Sequence, residues 1–477
     1  MSQPTYAIKG IPVPAGQPTP TRKEITAWIS NNPLQVSLFM RALTEFQQLS
    51  PTQNPLSYYR IAGIHGDPDV PWDGVGNPQG PGLPGFWCAH NRSTFSTWHR
   101  PYLALFEQRI YDIMIGIIAR NVPAGSQRKA WEDAAKQWRL PYWDWAVKQR
   151  YMGDYGLPEI FTKERVPILN FDRTTTTNII NPLWKFSNPT GVPMGHRSMG
   201  IYRLRGYPWS RAVGTSRFGI VTSQSETTWR GGINDWREAN EALQNPSQIG
   251  WFPASTGDAV YRLFAPGYFS SFESFESKIF HNPQTPRDYL SLEYVHDGIH
   301  PLTGGWDENG RGIGHMADPS VSAFDPIFWF HHCNVDRLAA IFQKLNPNMW
   351  FNPQGRVGSA PLDPFHIDTA STSWNSDLCR DWRASLGYEY DDLSAPGPPT
   401  TSVAARSFAA DSPSDLSAPG PPADLIVVPL PEVDSPDDQS DLSRLRKIIN
   451  EKYGHVRREL DKSPSIHGRE NDYIINV

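Results

Sequence analysis

Two histidines four residues apart, His296 and His300 in the run HDGIH, are the sharpest chemical signal in this chain of 477 residues. On an α-helix four residues turn through about 400°, so both imidazoles leave nearly the same face one turn apart, a spacing that suits a single metal ion. The residue after the first histidine is Asp297 rather than glutamate, so the run does not spell the HExxH of zinc peptidases. Taken alone, the spacing suits a pair of surface or capping histidines equally well. A second run, FDPIFWFHHCNVDRLAAIF (324–342), puts Phe328, His332 and Asp336 at successive i+4 steps on one helical stripe that starts at Asp325-Pro326. A histidine between an aromatic wall and a carboxylate reads as a ligand with an acceptor nearby, or else as a core histidine satisfied by Asp336. His331, about 100° away, points elsewhere and reads as structural. Earlier in the chain, His65 (GIHG), Cys88 and His90 (CAH) and His99 (TWHRPY) fall within 35 residues around a loop-to-helix transition. Each of these is by itself more readily structural; together the groups supply two sites of three imidazoles. Nitrogen-only ligation favours copper, zinc, iron or nickel over magnesium or calcium, and two ions held by neutral imidazoles suggest a redox pair.

These residues need helices to aim them. Apolar periodicity predicts helices over about 23–48, 94–120 (with Pro101 in a first turn or at a bend), 127–138, 285–300 and 325–345. Between 150 and 280 the signals are short and rich in Trp, Tyr, Gly and Pro, which predicts loops with a few small strands. The 45 prolines and 37 glycines imply long irregular connections between a limited number of helices. After GYEYDDL (387–393) the composition turns to Pro, Ser, Ala and Asp, and the octapeptide DLSAPGPP occurs at 392–399 and again at 415–422. The chain is therefore expected to divide into a core domain at 1–393, a mobile linker at 394–439, and a segment at 440–477 that holds a charged helix and the strand-like NDYIINV.

Composition bounds the function. With 39% hydrophobic and 19% charged residues the chain is globular, and a net charge of −5 gives no pull toward nucleic acid or anionic membranes. The opening residues lack the apolar core of a signal peptide, and the run IMIGII (113–118) falls far short of the ~20 residues that span a bilayer. The expectation is a cytoplasmic protein with no membrane partner. Three cysteines, Cys88, Cys333 and Cys379, cannot build a disulfide framework, and the last two read as small packed hydrophobes.

Taken in order, GIHG, CAH, FSTWHRPYLALFE, LPYWDW (140–145), HDGIH, FDPIFWFHHCNVDR and Tyr388-Glu389-Tyr390 resemble the fungal tyrosinases of the type 3 copper (polyphenol oxidase) family over about residues 5–395. The resemblance implies a mainly α fold, a four-helix bundle with long loops and minor strands around a dinuclear copper site. It implies His65, His90 and His99 on the first copper and His296, His300 and His332 on the second, with a thioether joining Cys88 to the ring of His90. Glu293, one turn before His296, would hold a water near the copper pair, and Phe328 would stack on or gate the substrate ring. Many relatives carry Asn after the first histidine of the second site, a residue associated with monophenol hydroxylation; Asp297 departs from that pattern. The implied activity is ortho-hydroxylation of monophenols and oxidation of o-diphenols to o-quinones with dioxygen, leading to melanin-type pigment. A catechol or o-aminophenol oxidase weak on monophenols is the alternative, and a haemocyanin-like oxygen carrier is the alternative of another class. In the family the Tyr388/Tyr390 motif ends the catalytic core and a linker leads to a domain that plugs the active site, so the resemblance implies a chain in an unplugged or truncated form.

Overall fold

The computed structural model describes residues 5–68, 70–76, 87–195, 209–221, 224–249, 255–280, 290–305, 311–394 and 441–454. Four helices carry its core: α1 (Pro33–Gln48), α2 (Phe95–Asn121), α3 (Leu292–Gly304) and α4 (Ile327–Leu345). Every residue from Ile327 to Phe342 is buried, so α4 is enclosed on all sides, and the other three helices pack around it or on one another. Aromatic side chains fill the seams. Phe46 of α1 meets Phe106 of α2 at 5.7 Å between ring centroids, and Phe106 stacks on Trp329 of α4 at 3.9 Å and 10°.

The sequence explains where these helices start and stop. The single helix expected over 23–48 is broken at Asn32, whose φ of −132° and ψ of 57° are not helical; Ile25–Asn31 ends there and Pro33 opens α1. Proline is suited to a first helical position because its missing N–H has no partner there anyway. In α2, Pro101 sits inside the helix and cannot donate to the Thr97 carbonyl, which instead accepts the Cys379 thiol at 3.7 Å. The start of α3 is fixed by Ser291, whose side chain accepts the Tyr294 N–H at 3.2 Å. Thus α3 begins later than expected, with 285–289 outside the described residues, and runs on to Gly304. A Cβ on Gly304 would lie 2.2 Å from the Ala317 nitrogen, so only glycine lets the turn His315–Ala317 approach α3. Asp325 accepts the Ile327 N–H at 3.1 Å and is itself held by Arg217, which fixes the direction of α4.

The strands are minor. Thr21–Arg22 pairs in parallel with Glu389–Tyr390, Arg165–Leu169 forms a hairpin with Thr176–Ile180, and Pro361–His366 pairs with Ser373–Asn375. The stretch from 150 to 280, expected as loops with small strands, also contains short helices at Trp236–Gln244, Thr256–Leu263 and Phe272–Glu276. Side-chain caps from Asp235, Ser255 and Ser271 hold them. Among the described residues no helix is long and apolar enough to cross a membrane.

One further helix, α5 (Asp441–Tyr453), follows the linker and packs against the core rather than standing apart. Leu445, Ile449 and Tyr453 recur every four residues and form its buried stripe. The Tyr453 hydroxyl donates to Asp144 at 2.8 Å and accepts from Arg337 at 3.1 Å, while Lys452 pairs with Asp392 at 3.0 Å. The linker from 395 and the NDYIINV strand lie outside the described residues. Tyr453→Phe is expected to lower unfolding free energy by about 1–3 kcal/mol, because Asp144 and Arg337 each lose a buried partner. Urea denaturation of the full chain measures this, and an unchanged midpoint would mean that α5 does not stay docked.

Candidate metal centre

All six histidines singled out in the two trios arrive in one place. His65 follows the short helix Tyr58–Ala62, His90 precedes α2, His99 lies in its first two turns, His296 and His300 lie on α3, and His332 lies on α4. Within the first trio the ring centroids are 5.2 Å (His65–His90), 5.6 Å (His65–His99) and 5.7 Å (His90–His99) apart. In the second they are 4.5 Å (His296–His300), 4.7 Å (His296–His332) and 5.8 Å (His300–His332) apart. The trios face each other, with His99 and His332 4.3 Å apart and His90 and His296 5.4 Å apart.

Backbone carbonyls set which nitrogen faces inward. His65 donates its Nδ1–H to Pro319 at 2.8 Å, His99 to Phe95 at 2.7 Å, and His300 to Met316 at 2.7 Å. Each ring is thereby fixed with its Nε2 lone pair free, the arrangement a metal-bound histidine requires. Burial holds all six below the ordinary histidine range, His99 at about 3 and His300 at about 4, so all are neutral near pH 7. The Nε2 of His296 lies 2.8 Å from that of His300 and 3.1 Å from that of His332. Three nitrogens on one ion at about 2 Å would be spaced about 2.8–3.4 Å apart, so these rings fit a metal ion. The buried Nε2 of His65 has no protein partner, a second sign that the cluster faces an ion.

Other expected site residues take definite places. Cys88 Sγ lies 3.3 Å and 3.8 Å from the two nitrogens of His90 and 3.4 Å from His99 Nε2. Burial, and then the charge of Glu293, raise its thiol well above the usual range, which disfavours a thiolate ligand. Phe328 is fully buried, with its ring 4.1 Å from His332 and 4.8 Å from His65, so it braces one ligand from each trio. Glu293 accepts the Asn91 N–H at 2.6 Å on Oε1 and the Ser277 hydroxyl and Lys278 N–H on Oε2, both at 3.0 Å. It therefore ties the loop beside His90 to α3. Asp297 accepts the Nδ1–H of His296 at 3.0 Å on Oδ1 and pairs with the Lys278 ammonium through Oδ2.

Two expectations are corrected. His331 does not point away: its ring stacks on His296 at 5.0 Å and 15°, and it joins the cluster of imidazoles that includes His300 and His332. Helix α3 lies across both positions of α4, so a step of about 100° still leaves the ring facing it. Nor does Asp336 serve His332, whose Nδ1 has no protein partner; Asp336 binds Arg22, Arg100, Tyr388 and Tyr390 instead. Lys278 and the carbonyls of Pro319 and Met316 went unread in the sequence. A carbonyl carries no residue signature, and Lys278 has no helical spacing to its partners.

His315 shows the same burial without being a candidate ligand. Its Nδ1 accepts the Ser216 N–H at 3.0 Å, and burial pushes its pKa down to about 3. The unfolded chain takes up this proton below about pH 6.5 and the folded protein does not, so the stabilisation is complete above that pH and is lost as pH falls toward 3. Metal-free protein is expected to lose roughly 3 kcal/mol by about pH 4.5 from this group alone. Urea titrations at successive pH values measure the slope, which should be shallower in His315→Gln.

Comparison with known proteins adds an independent line. Residues 55–345 match the family model for the common central domain of tyrosinase. The chain is 38% identical to a tyrosinase of Aspergillus fumigatus over 429 residues, covering 82% of this chain and 67% of that protein. It is 35% identical to a tyrosinase of Podospora anserina over 405 residues, covering 81% of this chain but 64% of the relative. Among solved structures, a copper-bound mutant of active Aspergillus oryzae tyrosinase complexed with L-tyrosine superposes with a TM-score of 0.74 at 34% identity, covering 82% of this chain and 97% of that one.

Proposed function

The chain belongs to the tyrosinase family, and we propose that it uses two copper ions and dioxygen to hydroxylate monophenols at the ortho position and to oxidise o-diphenols to o-quinones, feeding melanin-type pigment. The observation that carries this reading is the facing pair of imidazole trios, each ring neutral and buried or nearly so. His65, His90 and His99 would hold one ion and His296, His300 and His332 the other. Bound copper supplies reversible one-electron chemistry at each ion, so that dioxygen can take up electrons in pairs.

The remaining work falls to the chain. Phe95 and Phe328 pack against the ligand rings and exclude water from their backs. Carbonyls of Pro319, Phe95 and Met316 keep three Nε2 atoms aimed inward through each turnover. Glu293 is the acceptor for the phenolic proton, taken up through a water held beside the second trio. Burial, and after it the charge of Asp297, raise its carboxyl above the usual range, which makes it a better base than a free carboxylate. The closeness of Cys88 Sγ to the ring of His90, 3.3 Å from Nδ1, supports a thioether that would fix that ligand.

Asp297 supports a second reading, a catechol or o-aminophenol oxidase weak on monophenols. Copper analysis and initial rates on a matched monophenol and o-diphenol decide between them. Two ions per chain and turnover of both phenols are expected. No monophenol turnover even after priming with diphenol favours the second reading, and reversible oxygen uptake with no phenol consumed would identify an oxygen carrier.

A further inference from the structure

Of the six candidate ligand histidines, His90 alone is partly exposed, so its edge of the cluster is the side nearest solvent. The groups nearest that edge are charged. Asp297, whose side chain is 13% exposed, sits one residue after His296, and the ammonium of Lys278, 23% exposed, pairs with its outer oxygen. Lys278 is held there by its own backbone: its N–H donates to Glu293 at 3.0 Å, and the preceding Ser277 donates its hydroxyl to the same carboxylate oxygen. Its Nζ also lies 3.8 Å from the other Glu293 oxygen. The side chains of Ile279 and Phe280, which follow, are exposed and extend this rim as an apolar surface. The edge thus carries two carboxylates one helical turn apart and a cation bridging them. Arg92, two residues after His90, is exposed.

We propose that Lys278 is a specificity-determining residue, which cancels the charge of Asp297 at the mouth of the metal centre and so admits phenols whose side chains carry either sign of charge. This inference rests on the function proposed above. Asp297 is committed on its inner oxygen to His296, so its charge cannot swing away from the entrance. Without Lys278 an arriving phenol meets an uncompensated carboxylate close to the ring it must approach, and at such distances a unit charge in a partly desolvated site changes binding by about tenfold or more. Lysine suits the task because its compact ammonium reaches both carboxylates without a fixed fork.

The test uses the copper-loaded full chain and two phenols of equal ring chemistry, one bearing a carboxylate and one an ammonium group. The ratio of their kcat/KM values should shift about tenfold toward the ammonium phenol in Lys278→Met, chiefly through KM. Lys278→Arg should keep the wild-type ratio. Asp297→Asn should shift it the other way, and the double variant Lys278→Met/Asp297→Asn should return it near wild type. Dissociation constants of the two phenols for metal-free protein, read by tryptophan fluorescence, should follow the same order. A parallel loss on both phenols in Lys278→Met, or a ratio that stays put while Asp297→Asn also leaves it unchanged, overturns the proposal. If wild-type protein oxidises neither phenol, the enzymatic reading fails, and the dissociation constants still decide the role of Lys278.

Discussion

Asp336→Ala is expected to cost more than about 5 kcal/mol and to leave little native protein, although Asp336 touches no ligand histidine. It stands at the centre of a buried cluster. Arg100 on α2 donates to it at 2.7 Å, Arg22 at 3.2 Å, and the hydroxyls of Tyr388 and Tyr390 at 2.5 Å and 2.6 Å. Burial alone would raise its pKa, yet Arg100 and then Arg22 more than offset this and hold it below the usual carboxylate range. Removing the carboxylate leaves two buried guanidinium groups short of a carboxylate and the Tyr388 hydroxyl without an acceptor, while the Tyr390 hydroxyl keeps the Cys333 carbonyl at 3.2 Å; breaking even one buried ion pair costs about 3–5 kcal/mol. Glu107 still pairs with Arg22 at 3.0 Å, which limits the damage on that side and gives Arg22→Met a smaller expected cost. Asp336→Asn keeps an acceptor and should fall between. Denaturant unfolding of metal-free protein measures all three, so that copper does not mask the difference. An Asp336→Ala protein as stable as wild type would mean that the cluster fixes the place of the 388–390 segment without adding net stability.

That cluster also shows what the sequence could and could not say. Tyr388 and Tyr390 were legible as a motif closing the catalytic region, but their reason, a shared carboxylate on α4, required the fold. The candidate ligand histidines on the long helices were legible because helices impose spacing: His296 and His300 lie one turn apart, and His332 lies one turn after Phe328, so residue type and period spoke together. His65 and His90 lie off the long helices, where spacing carries no geometry; their closeness in sequence to His99 suggested a shared site, and the resemblance assigned it. The direction of His331 was misjudged because a helical wheel gives angles about one axis and is silent on where the neighbouring helix lies. The short capped helices between 236 and 276 were missed for a related reason, since helices of so few turns owe their stability to packing that the sequence does not display. Least legible was Lys278, which meets Glu293 and Asp297 only through the fold.

The second large effect is expected at the metal centre itself. His300→Ala should reduce bound copper from about two ions per chain to about one and lower phenol oxidation by more than the 10–100-fold that follows loss of an outer partner of a ligand. His300 donates to Met316 and presents Nε2 2.8 Å from that of His296, so alanine removes one of three nitrogens and also frees the carbonyl that positioned it. The first trio keeps its own supports, because His65 and His99 are held by the carbonyls of Pro319 and Phe95 and not by that of Met316. An ion retained there alone has no partner to share dioxygen with, so activity should fall much further than copper content. Copper content by metal analysis, read beside rates on one o-diphenol, separates the two effects. His331 supplies the sharper control, since it lies against both His296 and His300 and neither of its ring nitrogens has a protein partner. If copper stays at two per chain in His300→Ala, His331 has taken the vacated position, and the double variant with His331→Ala must then lose the ion. Retention in that double variant as well would show that the second trio is not where the metal is held.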